Sequence, residues 1–307
     1  MRLPRKAWVL ALLLGLLVVN APVRAATPTS HPEMIYFVML DRFENGDPSN
    51  DKGALTGPAT TTGFLHSDTG FYHGGDLRGL INRIPYIKSL GFTAIWVTPV
   101  VRQLPVAVDG RSAAYHGYWG VGFDQVDPHL GTMADFKEFV STAHAQQMKV
   151  ILDIVVNHTA DVIHSLSTGE YVGLTDHPYT TTNGKVFDPK KLAETANFPG
   201  LDQLSAITSF PNRPLIDPEN LTVKSPAWLN DPRNYHNRGN VGQSEESMQY
   251  GDFFGLDDLF TESPAVLKGW VDVFTTWIAT TGIDGFRIDT ARHVNKEFWN
   301  AFLPAMR

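Results

Sequence analysis

Short apolar runs alternate with amphipathic stretches along this chain, and that alternation limits the possible folds more than any other feature. The runs are rich in β-branched or aromatic residues and are bounded by turn residues, which predicts buried strands. Four such strands are predicted: Met34–Leu40, Thr93–Thr98, Val150–Val156 and Ile283–Asp289. Strands alternating with helices imply an α/β fold with a parallel sheet, either open and doubly wound or closed into a barrel. Periodicity does not choose between the two.

Three helices are predicted from their ends as well as from their apolar stripes. Leu77 to Leu90 has helical spacing and Gly91 follows it, while Pro85 predicts a kink or a late start. Thr132 is the expected N-cap of the second helix. The third begins at Ser263-Pro264 and ends at Gly282, with serine at the cap and proline at the first helical position.

More than a hundred residues separate the third strand from the helix expected after it. A structureless loop of that length is improbable within a compact domain. The segment is rich in Pro, Asn, Thr and Gly, which favours an inserted domain. We therefore predict three segments after the first residues: the first part of the α/β domain at 33–157, an inserted domain at 158–250 and the continuation of the α/β domain at 251–307.

The N-terminus has the pattern of a secretory signal peptide. Three basic residues precede an apolar run from Trp8 to Val19, and Val23-Arg24-Ala25 offers small residues for cleavage. The run is too short to span a bilayer comfortably, which disfavours the alternative of a membrane anchor. We expect residues 1–25 to be removed, leaving a soluble protein with no membrane partner that is secreted or periplasmic.

The charge balance of the mature chain argues against anionic partners. The leader carries four of the 25 basic residues and no acidic one, so 21 basic residues face 32 acidic ones, a net charge of −11. Nucleic acids and anionic membranes need a basic surface, so neither is expected as a partner. The absence of cysteine excludes disulfides and thiolate metal sites. The acidic excess is compatible with calcium, which takes oxygen ligands.

Polar residues gather where the predicted strands end. They are Asp41 and Arg42 after the first strand, Asp153, Asn157 and His158 in and after the third, and Arg287 and Asp289 at the end of the fourth. In a (β/α) barrel, catalytic residues lie at these C-terminal strand ends. Arg287 and Asp289 are two residues apart, so their side chains share one side of the strand. Alone, such a pair is more often a structural ion pair.

These segments together resemble the α-amylase family, glycoside hydrolase family 13, from about Ile35 to the last residue. Five stretches carry the resemblance in the family's order: Tyr72-His-Gly74-Gly75-Asp76-Leu, Tyr115-His116-Gly-Tyr118-Trp119, Asp153-Ile-Val-Val-Asn157-His158, Leu256-Asp-Asp258-Leu-Phe and Gly285-Phe-Arg287-Ile-Asp289-Thr-Ala-Arg292-His293. The resemblance implies a (β/α)8 TIM-type barrel of which only the first four βα units are present. An irregular domain is inserted after strand three.

The resemblance also implies roles at these positions. Asp289 is the expected nucleophile of a retaining glycoside hydrolase acting on α-1,4-glucans, and Arg287 holds it ionised. The remaining expected residues bind substrate: His116, Tyr118, Trp119, His158, Arg292 and His293. Arg292 stands where many members have lysine, which keeps the charge and changes the hydrogen-bond geometry. Each histidine taken singly is equally compatible with a structural role.

Two calcium sites are implied. The first takes Asn157, Asp258 and the carbonyl of His293, where Asp257 replaces the usual proline of the motif and adds an oxygen. The second resembles a calcium loop of bacterial members and takes Asn45, Asp47, Asn50, Asp51, Gly74 and Asp76. These amide, carboxylate and carbonyl oxygens suit Ca²⁺. The alternative for the second set is an Asx-rich group of turns without an ion.

The family's acid/base glutamate and its transition-state-stabilising aspartate follow later strands, whereas this sequence reaches Arg307 in the helix after the fourth. Glu297 is the only glutamate after Asp289, and its helical context is wrong for the acid. We therefore expect an incomplete chain that is inactive and prone to aggregation alone. An endo-acting α-amylase leads the candidates. A cyclodextrin glucanotransferase, a maltogenic or cyclodextrin-degrading enzyme and a non-catalytic binding or scaffold homologue stay open, as does the oligomeric state.

Overall fold

The computed structural model of this chain describes residues 33–165, 169–181, 183–193 and 210–307, and the predicted leader at 1–25 lies outside them. Glu33–Arg307 forms one compact unit. In chain order its elements are β1 Ile35–Val38, α1 Ala59–Thr62, α2 Leu77–Ser89, β2 Ala94–Val97, β3 Val101–Gln103, β4 Gly120–Val126, α3 Met133–Ala145, β5 Lys149–Val155, β6 His164–Ser165, β7 Tyr179–Thr180, β8 Val186–Phe187, α4 Pro189–Ala193, β9 Pro214–Leu215, α5 Glu245–Tyr250, α6 Pro264–Thr281, β10 Gly285–Asp289 and α7 Lys296–Ala305.

The four predicted strands form one sheet, in the order β1-β2-β5-β10, and every neighbouring pair is parallel. Because the strands are parallel, their C-terminal ends share one edge of the sheet. The register pairs Arg287 with Asp153 and Asp289 with Val155. The polar residues of the third and fourth predicted strands are thus neighbours across the sheet.

The prediction that all four strands are buried is wrong at the edges. Ile35 and Phe37 of β1 are 46% and 47% exposed, and every residue of β10 is only half-buried. By contrast, three of the four residues of β2 are buried. β1 and β10 are the two outer strands of the described sheet, so one side of each has no neighbouring strand to cover it.

The helices begin and end where their capping residues predict. Asp76 caps α2, Thr132 and Asp135 form a capping box on α3, and Ser263 caps α6. Pro85 lies inside α2 without delaying its start. The apolar faces of α2, α3, α6 and α7 share one core with the sheet. Among the described helices, none has both the length and the apolarity that crossing a membrane requires.

The described residues between β5 and α6 include two pairs of two-residue antiparallel strands, β6–β9 and β7–β8, and the short helices α4 and α5, joined by turns and irregular stretches. The return to the sheet is held by a buried ion pair between Lys224 Nζ and Asp257 Oδ2, 2.5 Å apart and almost fully covered. Asp257 also accepts hydrogen bonds from the backbone amides of Val162 and Ile163. One carboxylate therefore joins three parts of the chain beside the C-terminal end of β5.

Candidate active site

Asp289 and Arg287 lie at the C-terminal end of β10, on the same side of the strand. Arg287 Nη1 donates to Asp289 Oδ1 at 2.6 Å and to both carboxylate oxygens of Asp153 at 3.1 Å. The Asp289 side chain keeps 20% of its surface exposed, whereas that of Asp153 keeps none. The arginine therefore fixes an accessible carboxylate by anchoring itself to a buried one.

Asp153 is the centre of this arrangement. Besides Arg287, it accepts hydrogen bonds from Trp96 Nε1 at 3.1 Å and from the Tyr118 hydroxyl at 2.9 Å. Burial raises the pKa of Asp153 to about 6, against the effect of the hydrogen bonds from Arg287 and Tyr118. From its sequence position, Asp153 is expected at a strand end, and no role was assigned to it. A lone aspartate inside the apolar run of β5 was the signal.

The segment before β4 supplies an aromatic wall. Tyr118 reaches Asp153 with its hydroxyl, and its backbone N–H donates to His116 Nδ1 at 3.1 Å. The rings of His116 and Tyr118 stack with centroids 5.8 Å apart, and the Trp119 ring meets His116 edge-on at 4.8 Å. The three predicted substrate-binding residues of this segment are thus brought to the carboxylate site.

His158 follows β5 and is buried beside the same site. Its ring stacks on Phe253 with centroids 6.1 Å apart, and within the described residues its Nε2 atom has no hydrogen-bond partner. Burial lowers the pKa of His158 to about 4, although the charge of Asp289 opposes the shift. The pKa of His116 also falls to about 4, first through burial and then through the charge of Arg42. Both imidazoles are neutral near pH 7.

Arg292 and His293 form a 3₁₀ turn directly after β10. His293 Nδ1 donates to the carbonyl of Met248 at 2.6 Å, and the Arg292 guanidinium lies 3.9 Å from the Met248 sulfur. Met248 belongs to α5, so this predicted pair joins the inserted segment to the end of β10.

Sequence reasoning missed two aromatic residues. Phe253 lies against both His158 and His293, and Phe254 beside it is 82% exposed in a backbone conformation with φ of +55°. A bulky residue with positive φ is strained, and such strain concentrates at functional sites. The adjacent Phe-Phe-Gly in a loop before Leu256 was the available signal. These rings extend the site along the inserted segment.

Two members of the first predicted calcium set, Asn157 and Asp258, are neighbours beside the site. Asn157 and Asp258 are buried and lie on paired segments, because Leu259 donates its N–H to the Asn157 carbonyl at 2.8 Å. Asp258 Oδ2 is 2.6 Å from His236 Nδ1, and Glu262 lies on the other ring nitrogen at 3.0 Å. Asp257 does not supply the expected extra oxygen, because Lys224 and two backbone amides occupy its carboxylate.

The second predicted set surrounds the start of α2. Asp51 Oδ1 accepts from Asn45 Nδ2 at 2.7 Å, and both oxygens of Asp76 accept from N–H groups of this loop and of Gly79. Asn50 Oδ1 is buried and, among the described residues, has no hydrogen-bond partner. A side chain at Gly74 would come within 2.5 Å of Asp51 Oδ1. The loop thus holds an unused oxygen and a space that only glycine leaves open.

We expect the two neutral histidines to make the fold less stable in acid. The unfolded chain protonates them below about pH 6.5 and the folded protein only near pH 4, so the free energy of unfolding falls as the pH decreases between these values. Substituting His158→Gln removes one such group and should flatten the fall of the thermal midpoint between pH 6.5 and pH 4.5. Calorimetry at several pH values measures it.

The raised pKa of Asp153 increases the free energy of unfolding as the pH falls from 6 to 4, which opposes the effect of the histidines. Since Asp153 is present in both proteins, comparing the variant with the wild type at each pH isolates the histidine. His66 is exposed, and His66→Gln measured at the same pH values serves as the control for removal of a histidine outside the site. A His158→Gln slope equal to that of the wild type would contradict the prediction.

The chain matches one family model and is similar to known proteins, among them an α-amylase and a cyclomaltodextrin glucanotransferase. The family model described as Alpha amylase, catalytic domain, matches residues 37–302. An α-amylase of Streptomyces lividans is 46% identical over 278 residues, covering 89% of this chain and 30% of that protein. A cyclomaltodextrin glucanotransferase of Klebsiella oxytoca is 32% identical over 270 residues, covering 87% and 34%.

Among solved structures, the α-amylase of Geobacillus thermoleovorans complexed with acarbose aligns with a TM-score of 0.57 at 32% identity. The alignment covers 89% of this chain and 43% of that one. The chain therefore spans less than half the length of each of these three proteins.

Proposed function

Since this chain belongs to the α-amylase family, we propose that it is the front part of a retaining hydrolase of α-1,4-glucans, with endo-acting α-amylase as its activity. The observation that carries the proposal is the accessible Asp289 carboxylate at a strand end. Arg287 holds it at 2.6 Å, and His116, Tyr118 and His158 lie around it. The four strands of the described sheet are then the first four of a (β/α)8 barrel.

The residues divide the chemistry between them. Asp289 attacks the anomeric carbon and forms the covalent glycosyl-enzyme of a retaining mechanism. Arg287 orients the Asp289 carboxylate, and its hydrogen bonds to Asp153 keep the guanidinium in place. Tyr118 offers an aromatic face to the apolar face of the sugar. A neutral imidazole both donates and accepts a hydrogen bond, so His116 and His158 suit sugar hydroxyls.

A retaining enzyme needs a second carboxyl group about 5–5.5 Å from the nucleophile to protonate the leaving oxygen. Asp153 is the other carboxylate bound to Arg287, but it is fully covered, and Trp96, Tyr118 and Arg287 occupy its oxygens. Glu297 lies on α7 beyond the end of β10. We propose that the proton donor is not among the described residues and that the polypeptide 26–307 alone is inactive.

Product analysis of the full-length protein on soluble starch tests the proposal. We expect a broad range of linear maltooligosaccharides early in the reaction, with the α-anomeric configuration retained, and no starch hydrolysis by the polypeptide 26–307. Chromatography and NMR of the fresh products measure both. Starch hydrolysis by the 26–307 polypeptide, or inversion of the anomeric centre by the full-length protein, would contradict the proposal.

A glucanotransferase is the second candidate, and the exposed Phe254 favours it. A second sugar stacked on this ring beside the site could accept the glycosyl group in place of water. Cyclic or elongated products in the same chromatogram would identify this activity. Starch binding without any turnover by the full-length protein would instead favour a non-catalytic binding or scaffold homologue.

We further propose a secreted or periplasmic location. The support is the basic, apolar and small-residue order of positions 1–25, which a signal peptidase recognises. N-terminal sequencing of the protein recovered outside the cytoplasm should begin at Ala26.

Calcium fits the donors of both predicted sets. At the first, burial raises the pKa of Asp258 to about 7 and raises the pKa of nearby Asp252 well above its ordinary value, so a cation would relieve neighbouring buried carboxylates. At the second, the unpaired Asn50 Oδ1 faces a loop with the carboxylates of Asp47 and Asp51. Within the described residues no group of three or more His, Asp or Glu side chains is arranged for a metal, and the amide and carbonyl donors supply the remainder.

We expect the full-length protein to bind two calcium ions and the Asp51→Asn variant to bind one tightly. Removing this carboxylate takes a charged oxygen from the second set while leaving the first intact. Equilibrium dialysis with ⁴⁵Ca²⁺ measures the stoichiometry, and the exposed Asp109→Asn serves as the matched control. Two tight sites in Asp51→Asn, or no bound calcium in the wild type, would contradict this assignment.

A further inference from the structure

A groove of about 260 Å³ lies on the outside of the fold, between α6, the start of α3 and the turn that carries Pro226 and Trp228. One face of α6 packs on the sheet through Trp270 and Phe274, and the groove uses another face of the same helix. It contains none of the residues gathered around Asp289. The groove is therefore separate from the candidate active site.

The floor of the groove is aromatic and held in place. The Trp228 indole rests directly on Gly269, where a side-chain Cβ would come within 2.4 Å of the ring, and the Trp270 ring meets it edge-on at 5.2 Å. Trp277 Nε1 donates to the Phe123 carbonyl at 2.7 Å, which fixes the second indole. Trp270 and Trp277 are buried beneath this floor, so the half-buried Trp228 indole is the preformed surface that a ligand with a flat apolar face meets here.

The rim offers acceptors. Asp272, Thr276 and Thr280 follow one another at four-residue spacing along the exposed side of α6, and Asp124 stands opposite. The two threonine hydroxyls donate to backbone carbonyls four residues earlier, so their oxygens remain as acceptors. Lys268 Nζ pairs with the Asp272 carboxylate and the Ser225 hydroxyl donates to Asp124 Oδ2 at 2.7 Å. Each carboxylate keeps further lone pairs that can accept from a ligand.

We propose that this groove binds a pyranose unit of the α-glucan chain and holds the polymer on the enzyme away from the active site. A pyranose has an apolar face for the Trp228 indole and a ring of hydroxyl donors for the carboxylates and threonines. The inference rests on the proposed function, because that function supplies the polymer. Binding at a second site raises the effective concentration of a long chain at the active site and does nothing for a short one.

The test is affinity electrophoresis of the full-length protein in gels containing soluble starch, with acarbose added to fill the active site. Thr276→Arg fills the groove from an exposed helical position, where arginine is a good helix former. Ala279→Arg adds the same charge to an exposed position of the same helix outside the groove. We expect Thr276→Arg to weaken the retardation by roughly tenfold and Ala279→Arg to leave it unchanged.

Turnover of a maltotrioside should be the same in both variants, while kcat/KM on starch should fall only in Thr276→Arg. Equal retardation of Thr276→Arg and the wild type, or complete loss of retardation with acarbose, would overturn the groove while leaving the proposed function standing. Retardation that salt abolishes and maltoheptaose does not would show a non-specific ionic contact with the gel in place of sugar binding and also overturn it. A wild type that neither binds nor hydrolyses starch would overturn the proposed function itself.

Discussion

Substituting Asp289→Asn in the full-length protein is expected to lower kcat on starch by about 10⁴-fold or more, as removal of a catalytic nucleophile does elsewhere. The amide has nearly the same shape and can still accept from Arg287, which is 2.6 Å from the present carboxylate. What it loses is the ability to form the glycosyl-enzyme. Initial rates at saturating starch measure the effect, and thermal midpoints verify folding.

Asp284→Asn is a matched control, because Asp284 lies just before the strand that ends at Asp289. Asp284 is exposed, accepts from the Val150 amide at 2.7 Å and lies just before β10, so we expect nearly full activity. Asp289→Ala adds a chemical readout. With azide and an α-maltosyl fluoride, azide should take the vacated place, attack the anomeric carbon and expel fluoride. The expected product is a β-glycosyl azide, and an Asp289→Asn enzyme with more than a tenth of wild-type kcat would exclude the nucleophile assignment.

The second large effect concerns stability. Asp257→Leu should lower the free energy of unfolding by about 3–5 kcal/mol, because it leaves the Lys224 ammonium buried without a counter-charge. Although burial works to lower it, the charge of Asp257 raises the pKa of Lys224 in the folded protein. The substitution also frees the amides of Val162 and Ile163. Urea unfolding measures the loss, and hydrogen exchange at these two amides locates it.

The double variant Lys224→Met/Asp257→Asn provides the comparison. Methionine fills the space of the lysine stem, and the asparagine oxygen can still accept from both amides, so most of the lost stability should return. Lys149→Met removes one partner of the exposed Lys149–Glu33 pair and should leave the free energy of unfolding nearly unchanged. A double variant as unstable as Asp257→Leu would show that the ion pair does not account for the loss.

Much of the fold follows from local patterns. The four predicted strands appear as β1, β2, β5 and β10: β1 is three residues shorter than predicted, β2 and β10 are two residues shorter, and β5 is shifted by one residue. Thr132, Ser263 and Gly282 mark helix ends as expected. Caps and apolar periodicity act within a few residues, so a sequence window contains their cause. The exposure of Ile35 and Phe37 was not predictable in this way, because strand order decides which strand is an edge.

The residues of the candidate site also divide into those identified from the sequence and those that only the structure identified. The motif residues around Asp289, His116 and His158 were identified by resemblance, and the structure brings them together. The sequence did not reveal that Asp153 binds both Arg287 and Trp96, that Asp257 pairs with Lys224, or that Phe254 is exposed. The first two depend on residues distant in the chain: Trp96 and Arg287 for Asp153, and Lys224 for Asp257.

By itself, the sequence determined where strands and helices begin, the family of the chain, and that Arg287 and Asp289 point the same way from one strand. Periods of two and 3.6 residues and the requirements of capping are local, so they are written in neighbouring residues. Only the tertiary structure decided that Arg287 also binds Asp153, that Asp257 serves an internal lysine in place of an ion, and that Trp228 and Trp277 form an outer groove. Buried carboxylates and indoles need a partner, and packing brings each of them to one that lies more than thirty residues away in the chain. The tertiary structure therefore decides which partner each group has.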